Sequence, residues 1–200
     1  MKTKTSSLPI RKAGVNSSAV FSALSRSGEY YFIHRLDRNT KGLLIFAKSQ
    51  EAEKELLDAF KQRRVEKRYH ALCFGKFPKK TDVLTAYLKK DGARSLVYVT
   101  DKPTKGGEKI ITEYAVLNEY EDGTTRAEIT LHTGKTHQIR AHLAHIGCPI
   151  VGDMKYGDSA KNKAKNMARQ CLVAKSLSLT MQGKYAYLGE KTWISRFEAF

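Results

Sequence analysis

The sequence predicts an α+β fold, a single domain with a mixed, largely antiparallel β-sheet flanked by helices, and three observations carry that expectation. Short runs of β-branched and aromatic residues are punctuated by turn residues, including Glu121-Asp122-Gly123 between two of them. Sustained helical spacing of apolar residues is confined to two segments, 49–61 and 136–146. Neither an internal repeat nor an apolar run of about 18 residues is present, so no membrane-spanning helix is expected.

Residues 1–28 are rich in Ser, Lys and Thr with one weakly apolar stretch at 19–24, which predicts a loose arm followed by a short helix or loop; residues 29–200 form the expected catalytic-sized domain. A strand is expected at 43–47. Ser49 then fits a helix N-cap, with Glu51 and Glu53 in the first turn where the helix dipole favours anions, and Lys61-Gln62-Arg63-Arg64 supplies cations at the far end. Residues 67–74 read as a buried strand, followed by Gly75, Pro78 and a lysine-rich loop. Further strands are expected at 95–100, 109–117 and 125–132. The helix at 136–146 carries Ile139, Leu143 and Ile146 on one face, and Gly147 and Pro149 end it. Residues 161–169 read as a charged linker, 171–179 as a strand and 185–188 as one more.

Thirty-six Lys and Arg against twenty Asp and Glu leave a formal charge of +16, a field that draws polyanions and makes RNA or DNA the first partner to consider. Cys73, Cys148 and Cys171 lack a C-x-x-C spacing and sit among apolar neighbours, as reduced buried thiols do. With no signal-peptide pattern in the first thirty residues, a cytoplasmic protein is expected.

The most informative segment is His34-Arg35-Leu36-Asp37-Arg38-Asn39-Thr40-Lys41-Gly42-Leu43, where a carboxylate stands between two arginines just ahead of an apolar strand. A half-buried Asp is costly unless cations and hydrogen-bond donors support it, so Asp37 reads as a supported charge; a solvated turn is the competing explanation. Four of the six histidines lie between His132 and His145. On a helix His137 and His142 would diverge by about 140° and His142 and His145 by about 60°, with no H-E-x-x-H, so no metal site is expected. Gly134-Lys135-Thr136 superficially matches a phosphate-binding loop, but the glycine required five residues earlier is Ile129. That turn does place Lys135, His137, Gln138 and Arg140 at a helix N-terminus, which suits a phosphate or a carboxylate such as Asp37.

Three motifs in order resemble the pseudouridine synthases of the RluA branch, which modify ribosomal and transfer RNA. They are His34-Arg35-Leu36-Asp37-x-x-Thr40-x-Gly42-Leu43, then Lys67-x-Tyr69-x-Ala71, then the run from Thr133 to Gly157 that contains Lys135-Thr136-His137-Gln138-Ile139-Arg140 and Gly152-Asp153-x-x-Tyr156-Gly157. The match spans about 31–179. The resemblance implies that Asp37 is the catalytic aspartate of a cofactor-free isomerase that breaks the N-glycosidic bond of a uridine, turns the base and rejoins it through carbon. It further implies that Tyr69 stacks on the flipped base, that Arg140 pairs with the aspartate, and that Leu172 packs against the base, the three catalytic side chains meeting in one cleft.

Arg35, Arg38, Thr40, Lys135, His137 and Gln138 fall in the same motifs as expected RNA-binding residues, and basic loops at 61–68, 76–80 and 161–165 would grip phosphates without reading sequence. A monomer acting on rRNA or tRNA, without metal or membrane, follows. Lys41, Lys135 and Val173 depart from the family's usual residues, and no Asn-Lys-Pro strand or S4-type module is recognisable at the N-terminus. Two rival expectations are a catalytically inactive RNA-binding or ribosome-assembly protein of the same fold and a metal-dependent hydrolase using the histidine cluster.

Overall fold

The structure, a computed structural model, describes residues 10–11, 17–189 and 191–198. They fall into two compact units, one comprising residues up to 66 with 174–197 and the other residues 67–173 with Glu198. The elements make an α+β fold whose sheet is mixed and mostly antiparallel.

In the first unit the chain forms β1 (Ile10–Arg11), α1 (Ser17–Ser25), β2 (Tyr31–Phe32), β3 (Lys41–Leu43), β4 (Phe46–Ala47) and α2 (Gln50–Lys61). The single strand expected at 43–47 is therefore two short ones. β3 pairs antiparallel with β1, whereas β4 pairs with β2 in a separate two-stranded ribbon. The arm expected before α1 falls largely outside the described residues. α1 is held to the ribbon by aromatic contacts: the Phe21 ring lies 5.9 Å from both Phe32 and Phe46.

α2 forms as its sequence dictates, the Ser49 hydroxyl accepting a hydrogen bond from the Ala52 N–H at 3.2 Å. Its Leu56 and Ala59 sink into a core with Ile33, Leu43, Ile45, Leu177 and Leu179. Each large side chain buried there contributes about 1.5–3 kcal/mol.

β5 (Val65–Phe74) leads into the second unit, followed by β6 (Thr81–Asp91), β7 (Leu96–Thr100), β8 (Glu108–Glu119) and β9 (Thr124–Leu131). Their order across the sheet is β5-β9-β8-β6-β7, every pairing antiparallel. β6 follows the expected lysine-rich loop at 76–80 and fills a segment for which the sequence predicts no element. It buries Ala86 and Leu88 on one face yet carries Val83 and Tyr87 on the other, so its hydrophobic pattern does not alternate cleanly.

α3 (Gln138–His145) follows, two residues shorter at its start than the spacing suggests because His137 adopts a left-handed conformation, φ 56°. Cys148 N–H closes the far end on the Leu143 carbonyl at 2.9 Å, with Gly147 at φ 79°. α4 (Ser159–Ala164), capped by Asp158, takes in the first four residues of the linker expected at 161–169. The three thiols are free and buried.

β10 (Leu172–Leu179) returns to the first unit, where it lies beside β3 and pairs with β11 (Thr192–Ile194). Between them Gly183–Leu188 is a 3-10 helix, not the strand expected at 185–188. The two tyrosines there imitate strand patterning, but Gly183 enters at φ 60° and a Gly189 N–H to Ala186 carbonyl bond of 2.8 Å winds the segment up. β3 and β10 run so close that a β-carbon on Gly42, whose φ is +114°, would sit 2.3 Å from the Ala174 carbonyl oxygen. Only glycine fits that crossing. Among the described residues no helix is long and apolar enough to cross a membrane.

Candidate active site

The Asp37 segment is a turn tied from several sides. The Thr40 N–H donates to the Asp37 carbonyl at 3.0 Å, closing a β-turn around Arg38 and Asn39. One residue earlier, the Ser17 hydroxyl of α1 accepts from the Leu36 N–H at 3.1 Å and lies 3.4 Å from the Leu36 carbonyl, to which it donates. His34 accepts from the Ile45 N–H at 3.1 Å through Nε2 while its ring stacks on Phe60 at 5.0 Å.

His34, Ser17 and Thr40 are thus braces, and Leu36 is a buried anchor. Asp37 itself is half-buried, and Arg35 and Arg38 are exposed on either side. A half-buried carboxylate whose backbone is fixed in this way is held ready to meet a ligand.

In the second unit, Tyr69 on β5 is 7% exposed and Leu172 is 3% exposed; the Leu72 N–H donates to the Cys171 carbonyl at 3.0 Å, aligning the two segments. The Lys67 ammonium, on the same face of β5 as Tyr69, lies beside Gly134, and burial lowers its pKa.

The turn from Thr133 to His137 is held by Gln138, which is 2% exposed. Its amide oxygen accepts from the Lys135 N–H at 3.0 Å and the Thr133 hydroxyl at 2.9 Å. Its amide nitrogen donates to the Ile111 carbonyl at 3.1 Å and to Thr112 Oγ1 at 3.0 Å. All four hydrogen-bonding positions of the amide are used, so Gln138 acts by shaping the turn. Lys135 is ion-paired with Glu108.

Arg140 is the most strongly held group here. Its Nε and Nη2 donate to the two oxygens of Asp153 at 2.7 and 2.8 Å, with side chains 8% and 0% exposed. The same carboxylate accepts from the Lys155 and Tyr156 N–H groups at 2.9 and 3.1 Å. Burial pushes the Asp153 carboxyl up, but the hydrogen bond and charge of Arg140 together with those amides outweigh it and hold it below the usual carboxylate range.

Tyr156 completes the group: its ring lies 5.1 Å from the guanidinium, and its hydroxyl is 2.8 Å from His137 Nδ1 and 3.0 Å from the Val97 N–H. Asp153 and Tyr156 stand in the Gly-Asp-x-x-Tyr-Gly run, whose local pattern gives neither of them a task. Ser17 left no signal in the sequence.

The histidines are dispersed among separate partners. His132 meets Glu113 and His145 meets Asp101, each at 2.7 Å, while buried His142 meets Thr112 at 3.0 Å and burial lowers its pKa to about 4. Among the described residues no three His, Cys, Asp or Glu side chains are grouped so as to hold a metal. The basic loops carry local carboxylates: Arg64 with Asp58, Lys79 with Asp82, Lys80 with Glu119, Lys161 with Asp158 and Lys165 with Asp122, at 2.6, 3.1, 2.7, 3.6 and 2.6 Å. Such surface pairs are weak and leave the cations exchangeable.

Residues 11–145 match the family model described as RNA pseudouridylate synthase. The chain is 37% identical over 133 residues to ribosomal large subunit pseudouridine synthase C of Rickettsia felis, covering 66% of this chain and 43% of that protein. It is 35% identical over 170 residues to ribosomal large subunit pseudouridine synthase D of Blochmanniella floridana, covering 79% and 52%. It is 36% identical over 171 residues to the dual-specificity RNA pseudouridine synthase RluA of Pasteurella multocida, covering 78% and 72%.

The chain thus spans about half the length of the first two of these relatives. Its fold is similar to that of human RNA pseudouridylate synthase domain containing 1, with a TM-score of 0.76 at 24% identity over 91% of this chain and 82% of that one. The family match and these identities establish that the chain belongs to the RNA pseudouridylate synthases, in their RluA branch.

Proposed function

We propose that this protein is an RNA pseudouridine synthase, isomerising particular uridines of rRNA or tRNA. In that reaction the N1–C1′ bond breaks, a C5–C1′ bond forms, C5 loses its proton and N1 gains one, so no oxidant, nucleotide or metal is consumed. Asp37 supplies the nucleophilic carboxylate. Tyr69 gives the flipped uracil an aromatic face, Leu172 gives it an apolar one, and Arg140 provides a guanidinium that favours the ionised aspartate.

Arg35, Arg38, Lys135 and His137 meet the RNA backbone, while Thr40 and Gln138 serve through the turns they tie. Residues 29–200 carry the catalysis, as a cytoplasmic monomer. The observation that carries this reading is the construction of the Asp37 turn: its backbone is anchored by Ser17 and Thr40, yet its carboxylate stays half-buried between two exposed arginines.

The test is tritium release from C5-labelled uridine in RNA by the wild-type protein and by Asp37→Asn. Release by the wild type and a loss of at least about 10³-fold in the variant are expected, since a covalent nucleophile cannot be replaced by an amide. Undiminished release by Asp37→Asn refutes the assignment. A wild type that binds RNA but never releases tritium would identify an inactive RNA-binding protein of this fold.

A further inference from the structure

We infer that Asn162 is a positioning residue for the isomerisation, acting through Asp153 on Arg140; this rests on the reading of the protein as a pseudouridine synthase. Asn162 lies on α4 and is 1% exposed. Its Oδ1 accepts from the Gly152 N–H at 2.6 Å and its Nδ2 donates to the Asp153 carbonyl at 3.1 Å. One planar amide therefore grips the backbone on both sides of the Asp153 α-carbon.

The surrounding chain leaves little room for another arrangement. Gly152 sits at φ +76°, and a β-carbon there would lie 2.1 Å from the Arg169 carbonyl oxygen; one on Gly157 would lie 2.2 Å from the Asp153 carbonyl oxygen and 3.0 Å from Asn162 Nδ2. The backbone is pressed against its neighbours on one side and against the Asn162 amide on the other.

The chemistry asks for asparagine in particular. The site needs one acceptor and one donor on a single rigid group of this length. Aspartate would turn a carboxylate oxygen toward the Asp153 carbonyl, and leucine would leave the buried Gly152 N–H unsatisfied. From this clamp the order of support runs outward: Asn162 sets the Asp153 backbone, and Asp153 fixes the Nε–Nη2 edge of the Arg140 guanidinium at 2.7 and 2.8 Å, which sets its orientation. A displacement near 1 Å of a group that must meet the reacting carboxylate costs about 10²-fold in rate.

The experiment uses the full chain with Asn162→Ala and Asn162→Ser. Ser is included because it keeps a small polar group that a water molecule can extend to both backbone atoms, so a folded variant is available if Ala proves unstable. Tritium release should fall about 30- to 100-fold in kcat for Ala and less for Ser, with KM within about twofold of wild type. In an Asp153→Asn background, Asn162→Ala or Asn162→Ser should cost less than about threefold more, because the support it acts through is already gone.

Independently of turnover, the Arg140 Nε–H resonance should exchange with water at least about tenfold faster in the Asn162 variants. Equal losses in both backgrounds, a change in KM alone, or an unaltered Arg140 exchange rate overturns the inference. Failure of the parent reading looks different: the wild type releases no tritium, while the exchange measurement still decides whether Asn162 holds Arg140.

Discussion

Replacing Asp153 by Asn isolates the energetics of the buried pair. The Asn oxygen can keep the Lys155 and Tyr156 N–H groups and Arg140 Nη2, now at 2.9, 3.1 and 2.8 Å, but its amide nitrogen then faces Arg140 Nε, donor against donor. Arg140, with a side chain only 8% exposed, loses the buried carboxylate that accepts from its guanidinium. Removing one partner of such a pair costs about 3–5 kcal/mol, more than a surface ion pair could. With a urea m-value of about 2 kcal/mol/M, the unfolding midpoint should drop by about 2 M.

The double variant Arg140→Met/Asp153→Asn removes both charges together while the Asn oxygen keeps the Lys155 and Tyr156 N–H groups, and it should recover most of that loss while remaining inactive. Urea unfolding followed by circular dichroism measures both. A loss below about 1 kcal/mol for Asp153→Asn, or a double variant as unstable as the single one, refutes the account of Arg140 as a cation held in place by this carboxylate.

Three further outcomes follow from the geometry. His142 titrates at about 4 when folded and at 6.5 when unfolded, so the unfolded chain alone takes up a proton as the pH falls through that window. Stability should therefore decline by about 3 kcal/mol from pH 7 to pH 4 on account of this group, and His142→Gln should flatten the slope measured by urea unfolding at several pH values. Gly42→Ala forces a β-carbon to 2.3 Å from the Ala174 carbonyl oxygen and should destabilise by at least about 2 kcal/mol; an unchanged Tm counts against it. Ser17→Ala removes the hydroxyl from the Leu36 backbone and should cost about 1–2 kcal/mol, with roughly tenfold faster amide exchange at Leu36 as the diagnostic.

What could be read in advance was whatever local chemistry decides. α2 is an example: cap, dipole charges and apolar spacing all act within a dozen residues, and the helix ran from Gln50 to Lys61 as its signals required. The motifs around Asp37 and Arg140 were legible because their side chains are chemically unusual in those surroundings. α4 was not, since its six residues look like any solvated charge run and only the backbone 10 residues upstream reveals why Asn162 is buried.

β6 was missed for the opposite reason, apolar residues on both faces hiding the two-residue period. Asp153, which holds Arg140, lies 13 residues away, beyond a helix end and a turn, and that pairing follows from tertiary geometry that no local pattern encodes.

β7 ends the ladder of the second unit, and an outermost strand with open amides invites pairing with another copy. Here the Val97 N–H is occupied by the Tyr156 hydroxyl and the Ser95 carbonyl by Lys155 Nζ at 2.8 Å. The net +16 keeps free molecules apart by repulsion, but a bound polyanion cancels it, and at that moment the neutral hydroxyl on the Val97 N–H still withholds that donor from edge-to-edge association.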